Sequence, residues 1–92
     1  MIDDDIVEAA KRLLDICKRK HLTVATAESC TAGLVAGTLT EVPGTSSILD
    51  RGFVTYSNQA KQDMLGVSAT TLRSHGAVSG ETAEEMVRGA LA

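Results

Sequence analysis

The sequence has no tryptophan, a single phenylalanine (Phe53), a single tyrosine (Tyr56) and a single proline (Pro43). Two rings can build neither the stacking platform on which unpaired bases are held nor an aromatic cage for a cation, so the core must be aliphatic. Tyr56 draws notice as the only phenol. The two cysteines, Cys17 and Cys30, are too few for a disulfide-stapled mini-protein, and their spacing matches no zinc pattern, so reduced thiols are expected. No apolar run approaches the roughly 20 residues that a bilayer-spanning helix needs. The chain starts with Asp3, Asp4 and Asp5 where an export signal would carry basic residues ahead of an apolar stretch. A soluble, unexported, cytoplasmic protein is expected. Positive charge is also scarce: the net charge is −3, so the clustered Lys and Arg that neutralise phosphates are missing and direct nucleic-acid contact is not expected.

With 92 residues, 43% of them apolar, the chain can form one modest core, as a single domain or part of one. Ile2, Ile6, Ala9, Leu13 and Ile16 or Cys17 recur at helical spacing and predict an amphipathic helix over residues 3–20. Its first turn is acidic and its last holds Lys18, Arg19 and Lys20, which suits the helix dipole at both ends. From Leu22 the residues become small and β-branched and predict a short buried strand, closed by Glu28 to Thr31. A helix over Ala32–Thr40 follows. Gly33 and Gly37 share a face of it, which suggests close backbone packing against a neighbour. Val42 to Ser47 reads as a turn around its Pro-Gly pair.

Ile48–Ser57 predicts a second strand, and Asn58–Leu65 a helix stopped by Gly66. A short helix over Ala69–Ser74, a break at Gly76 and a last helix over Gly80–Leu91 with Ser79 as its cap complete the chain. Helix, strand, helix, strand, helix opens a layered α/β domain, but two strands make a very small sheet. We expect an incomplete domain, or one that completes its sheet with another copy as a homo-oligomer.

Two segments offer chemistry. Thr26 to Gly33 runs from a strand end into a helix start, the place where open α/β sheets bind ligands and where free N–H groups meet a phosphate or a developing oxyanion. Ser29 or Thr31 would stand there; alternatively Ser29 only caps the helix. Cys30 reads as a buried, inert thiol, with no histidine nearby in sequence to favour its thiolate. In the second segment, Phe53 to Lys61, Tyr56 ends a strand and Lys61 falls in the first turn of the next helix. A lysine there opposes the positive end of the helix dipole, and with partial burial its amine can act as a general base toward a serine, the tyrosine hydroxyl passing a proton to the leaving group. The plainer alternative is a solvated surface lysine. His21 and His75 belong to no metal-ligand spacing, and Asp3 to Asp5 reads as a helix-start cluster, so no metal is expected. Gly44 to Ser47 lacks the Gly-Lys ending of a phosphate-binding Walker loop.

Read together, Ala25-Thr-Ala-Glu-Ser-Cys-Thr-Ala-Gly-Leu34, Val42-Pro-Gly-Thr-Ser-Ser47, Arg51-Gly-Phe-Val-Thr-Tyr-Ser-Asn-Gln-Ala-Lys61, Leu65-Gly-Val67 and His75-Gly-Ala-Val-Ser79 resemble the C-terminal domain of the competence/damage-inducible CinA proteins. That family also occurs as stand-alone nicotinamide-nucleotide amidohydrolases. The resemblance implies a three-layer α/β/α sandwich, of which this chain is the N-terminal part. It implies an enzyme without cofactor that hydrolyses the carboxamide of nicotinamide mononucleotide to nicotinic acid mononucleotide and ammonia. The family's nucleophilic serine maps to Ser29, its tyrosine to Tyr56 and its lysine to Lys61, with Thr31 and Ser46 as substrate-binding positions. A non-catalytic nucleotide-binding or oligomerisation module is the alternative, and a DNA-uptake partner is suggested by the family name alone. The sequence departs from the family pattern twice. Ala32 replaces the usual second glycine after Ser-Cys-Thr, a change tolerated if the backbone angles there are ordinary. The family also continues past Ala92 with a Thr-Gly-Ile-Ala-Gly-Pro-type segment that helps to form the nucleotide pocket.

Overall fold

The computed structural model describes residues 3–92. Ile2, the first residue of the expected apolar stripe, lies outside them. Helix α1 spans Asp4–Lys20 and is capped by the Asp3 carboxylate, which accepts from the Asp5 N–H at 3.2 Å. His21, at φ +56°, closes it in a left-handed turn. Strand β1 (Val24–Glu28) pairs in parallel with β2 (Leu49–Val54), and α2 (Leu34–Thr40) and a 3-10 turn at Thr45–Ser47 connect them. Helices α3 (Asn58–Leu65), α4 (Ala69–His75) and α5 (Gly80–Leu91) follow.

The two strands separate two apolar clusters. On one face Ala10, Leu14 and Cys17 of α1 meet Leu39 of α2 and Ile48, with Val24 and Leu49 packed against them. On the other, Leu65, Val67, Leu72 and Met86 from α3 to α5 cover Ala27 and Phe53. Three layers result, as an α/β/α sandwich requires when each sheet face must be buried. Among the described residues no helix is long and apolar enough to cross a membrane.

Each helix of the second layer is started by a serine, because a hydroxyl just ahead of the first turn satisfies an N–H that has no partner inside the helix. Ser57 accepts from the Ala60 N–H at 3.0 Å, Ser68 from Thr71 at 3.0 Å and Ser79 from Thr82 at 3.1 Å. Thr82 is fully buried, and its own hydroxyl donates to the Gly76 carbonyl at 2.8 Å. A tertiary cap joins α4 to α5: the Glu85 carboxylate accepts from the Ser68 N–H at 2.9 Å and from the Thr71 hydroxyl. Those bonds, the one from Ser68 foremost, hold the Glu85 carboxyl below its ordinary range.

Several expectations are corrected. The buried stripe of α1 is Ala10, Leu14 and Cys17, while Ile6, Leu13 and Ile16 are exposed. The apolar face of α1 is wider than the contact it makes, and Ile6, Ala9 and Leu13 border an open groove with Leu34 and Val35 of α2. The strands are shorter than read from the sequence: Leu22 lies outside β1, and β2 ends at Val54. Helix α2 begins at Leu34, so Gly33 is its cap, at φ +99°. Nothing lies within 4 Å of the place a side chain would take at Gly37, so close packing does not explain that glycine. The close approach is at Gly89 of α5, where a Cβ would overlap the Leu65 carbonyl oxygen and lie 2.7 Å from its carbon.

Gly89→Ala should therefore push α5 off α3 and cost about 2–3 kcal/mol. Gly37→Ala, in open space within a helix, should add about 0.5–1 kcal/mol. Urea unfolding of the two variants checks both signs. The Glu85 cap should also give the chain an acid limb of stability. Because its folded-state carboxyl titrates below the ordinary 4.5, its contribution is complete above that pH and is lost as pH falls below it. Melting temperatures of wild type and Glu85→Gln should differ most near neutrality and converge in acid; a gap independent of pH would refute this.

Candidate active site

Parallel strands bring their carboxyl ends to the same edge of the sheet, and here Glu28 and Val54, the last residues of β1 and β2, are register partners. Ser29 and Thr55 follow them directly, so neighbouring chain ends about 4.8 Å apart carry the two segments singled out in the sequence. Fully buried Thr55 locks the ends together. Its N–H donates to the Glu28 carbonyl at 2.8 Å and its hydroxyl reaches the same oxygen at 3.4 Å.

Lys61 is only 1% exposed. It is no surface lysine: its stem is enclosed in the α3 layer, and its Nζ donates to the Tyr56 carbonyl at 3.3 Å. Among the described residues, no carboxylate lies within ion-pair distance of it. The Tyr56 ring is exposed. Ser29 is half-buried, on the α5 side of β1. It lines a groove of about 500 Å³ along the open edge of that strand, with Ala77, Val78, Ser79, Ala83 and Met86. No hydrogen bond joins the Ser29 hydroxyl, the Tyr56 phenol and the Lys61 amine to one another, and neither Tyr56 nor Lys61 lines the groove beside Ser29; what the main-chain bonds bring together are the two strand ends, Glu28 and Thr55.

The residue that sequence reading missed is Glu28. Period-two alternation from Val24 directs Thr26 and Glu28 to the face covered by α2, and Glu28 is 3% exposed there. A buried carboxylate needs donors, and the start of α2 supplies them. Oε1 accepts from the Thr31 hydroxyl at 2.8 Å, the Gly33 N–H at 3.1 Å and the Val35 N–H at 2.8 Å, and Oε2 accepts from the Ala36 N–H at 3.0 Å. Burial pushes the carboxyl up, but the bonds from Ala36, Val35, Thr31 and Gly33 outweigh it and hold Glu28 below its ordinary range. An acidic residue on the buried face of a strand, one turn ahead of a helix, was the available signal.

This cap changes three expectations. The N–H groups of the first turn of α2 are taken by Glu28, so they cannot also hold an oxyanion. In the preceding turn, the N–H groups of Ser29, Cys30 and Thr31 make no hydrogen bond among the described residues. Thr31 donates its hydroxyl hydrogen to Glu28. The turn also bends at Ala32, at φ +52°, so its backbone angles are not ordinary: Ala32 occupies the left-handed region that glycine tolerates best. Cys30, expected to be buried, is instead an exposed free thiol because it sits in the turn beyond the strand end, and Cys17 is the buried one. Ser46 is not brought to this region. It lies in the turn before β2, at the opposite end of a six-residue strand, about 20 Å away along the sheet.

Comparison with known proteins places the chain among relatives. The family model of the CinA C-terminal domain matches residues 6–92. The chain is 46% identical over 91 residues to the nicotinamide-nucleotide amidohydrolase PncC of Escherichia coli K12, covering 99% of this chain and 55% of that protein. It is 56% identical over 77 residues to a CinA-like protein of Chloroherpeton thalassium, covering 84% of this chain and 18% of that one. Among solved structures, the competence/damage-inducible protein CihA of Agrobacterium tumefaciens superposes with a TM-score of 0.94 at 54% identity, over 99% of this chain and 55% of the other. The chain thus spans about half the length of the amidohydrolase and about a fifth of the longer relative.

Ala32→Gly should relieve the left-handed strain. Removing a cost of about 1 kcal/mol or more, partly offset by the freer unfolded chain, should stabilise the protein by about 0.5–1 kcal/mol. Chemical denaturation of the variant, with an unchanged m-value, is the measurement.

Proposed function

This chain belongs to the CinA C-terminal domain family, and from that membership we propose that it forms the part of a nicotinamide-nucleotide amidohydrolase that carries the nucleophile and its base. The observation that carries this reading is the buried amine of Lys61, enclosed without a counter-charge among the described residues and held on the carbonyl of Tyr56, in the segment that follows the β2 end paired with the Ser29 strand end. Burying an ammonium-bearing side chain with a single carbonyl partner is unfavourable. A core built for stability alone would hold an apolar residue there.

In the proposed reaction the Ser29 hydroxyl oxygen attacks the carboxamide carbon of nicotinamide mononucleotide while the Lys61 amine accepts the hydroxyl proton. The developing oxyanion is met by the N–H groups of Cys30 and Thr31, which are free of partners within the chain. The carbon–nitrogen bond then breaks. The Tyr56 phenol passes a proton to the departing nitrogen, which leaves as ammonia, and recovers one from Lys61. Water, deprotonated by the same amine, attacks the acyl-serine ester; the carbon–oxygen bond to Ser29 breaks, the Ser29 oxygen takes the proton back from Lys61, and nicotinic acid mononucleotide is released.

Ammonia release from nicotinamide mononucleotide by the full-length protein tests the reading. Ser29→Ala should lower kcat by about a thousandfold or more with the fold intact, as loss of a nucleophile does. Lys61→Met, an apolar side chain of similar length, should keep or raise the melting temperature yet lower kcat by about 10²–10⁴-fold. Undiminished turnover in Ser29→Ala removes the covalent mechanism; binding of the mononucleotide without any turnover in the wild type favours a binding module.

A further inference from the structure

The cap at the start of α2 has a geometry that an ordinary helix cap does not need. One carboxylate gathers four donors spread over six residues, Thr31 to Ala36, and both of its oxygens are engaged. The turn so gathered begins at Ser29 and contains the left-handed pair Ala32 and Gly33; its own main-chain bonds are two of the short-turn kind, Ala32 N–H to the Ser29 carbonyl and Leu34 N–H to the Thr31 carbonyl, each 3.0 Å. Meanwhile the main-chain oxygen of the same residue accepts both bonds from Thr55, whose successor Tyr56 supplies the carbonyl bound by Lys61. Glu28 is therefore tied by its side chain to the turn after β1 and by its backbone to the segment after β2.

We propose that Glu28 is the positioning residue of the site: its buried carboxylate sets the turn that carries Ser29 against the β2 end that carries Tyr56 and Lys61. This rests on Ser29 acting as the nucleophile. The carboxylate touches neither substrate nor reacting atoms and works through the placement of Ser29 and of the free Cys30 and Thr31 N–H groups. A displacement of about 1 Å at such a site lowers turnover by about a hundredfold. The carboxylate cannot be replaced by its neutral isostere without loss. A glutamine that keeps its oxygen at the Oε1 position turns its NH₂ toward the Ala36 N–H, donor against donor, and the end of the side chain must shift. Aspartate keeps the charge but is one methylene too short to reach all four donors.

The test is steady-state kinetics of ammonia release by the full-length protein, for wild type, Glu28→Gln and Glu28→Asp, at a temperature where circular dichroism shows each folded. Both variants should lose about tenfold to a hundredfold in kcat with KM within about threefold, since a positioning residue acts on turnover and not on substrate affinity. The pH profile of kcat should keep its shape, because the base is unchanged. A folded variant of either kind with kcat within twofold of wild type overturns the proposal and leaves Glu28 a helix cap only. A rise in KM at unchanged kcat overturns it equally and makes Glu28 a binding residue. If one substitution fails to fold, the other decides. Failure of the underlying reading looks different: wild type itself then releases no ammonia, or Ser29→Ala turns over normally.

Discussion

Glu28 ends the first strand with its side chain directed under α2, where solvent cannot reach it. A carboxylate in that position would be costly without donors, and the unpaired N–H groups at a helix start are a concentrated supply of them, with the helix dipole adding to the attraction. The entry of α2 is bent around this requirement. Its cap is Gly33, the residue before that is a left-handed alanine, and in the turn that results the N–H groups of Ser29, Cys30 and Thr31 have no hydrogen-bond partner among the described residues. The chemistry proposed for the site uses what the cap leaves over. Helix-start donors neutralise Glu28, and the turn donors remain for a substrate.

The two buried charges-to-be of the site are treated in opposite ways. Glu28 accepts four hydrogen bonds, with both oxygens engaged, and is held below the usual carboxylate range by those bonds. Lys61 is as deeply buried, but one carbonyl 3.3 Å away is its partner within the chain. The contrast is one of hydrogen bonding: four donors fix the Glu28 carboxylate in place, whereas the buried Lys61 amine has one carbonyl partner among the described residues. It also implies a stability cost at Lys61 that the α3 layer must absorb through Leu65, Val67, Leu72 and Met86.

The sandwich is fully formed at its two clusters and open along the outer edge of β1. There Ala77, Val78, Ala83 and Met86 border the groove that also contains Ser29, and on the other side the exposed margin of α1 faces Leu34 and Val35. Apolar surface of this kind is what a two-stranded sheet leaves when its helices are broader than the strands beneath them. The relatives of known structure share this part of the fold closely and extend beyond it, with the chain covering 55% of the Agrobacterium protein.

Local signals in the sequence were sufficient wherever a short-range interaction decides the structure. Ser57, Ser68 and Ser79 cap helices because a hydroxyl and an N–H two or three residues on need nothing else, and Gly66 ends α3 for an equally local reason. The identity of Ser29, Tyr56 and Lys61 as candidates was likewise legible, because strand ends and first turns are marked by neighbouring residues. Tertiary structure alone decided the rest. Which of two mid-helix glycines meets a neighbour, Gly37 or Gly89, depends on a helix far away in sequence. Which face of α1 is buried depends on how α2 crosses it, and the remoteness of Ser46 depends on the direction of β2. The role of Glu28 is of the same kind: a glutamate in a sequence is an acid looking for water, and only the helix folded over it turns it into the anchor of the site.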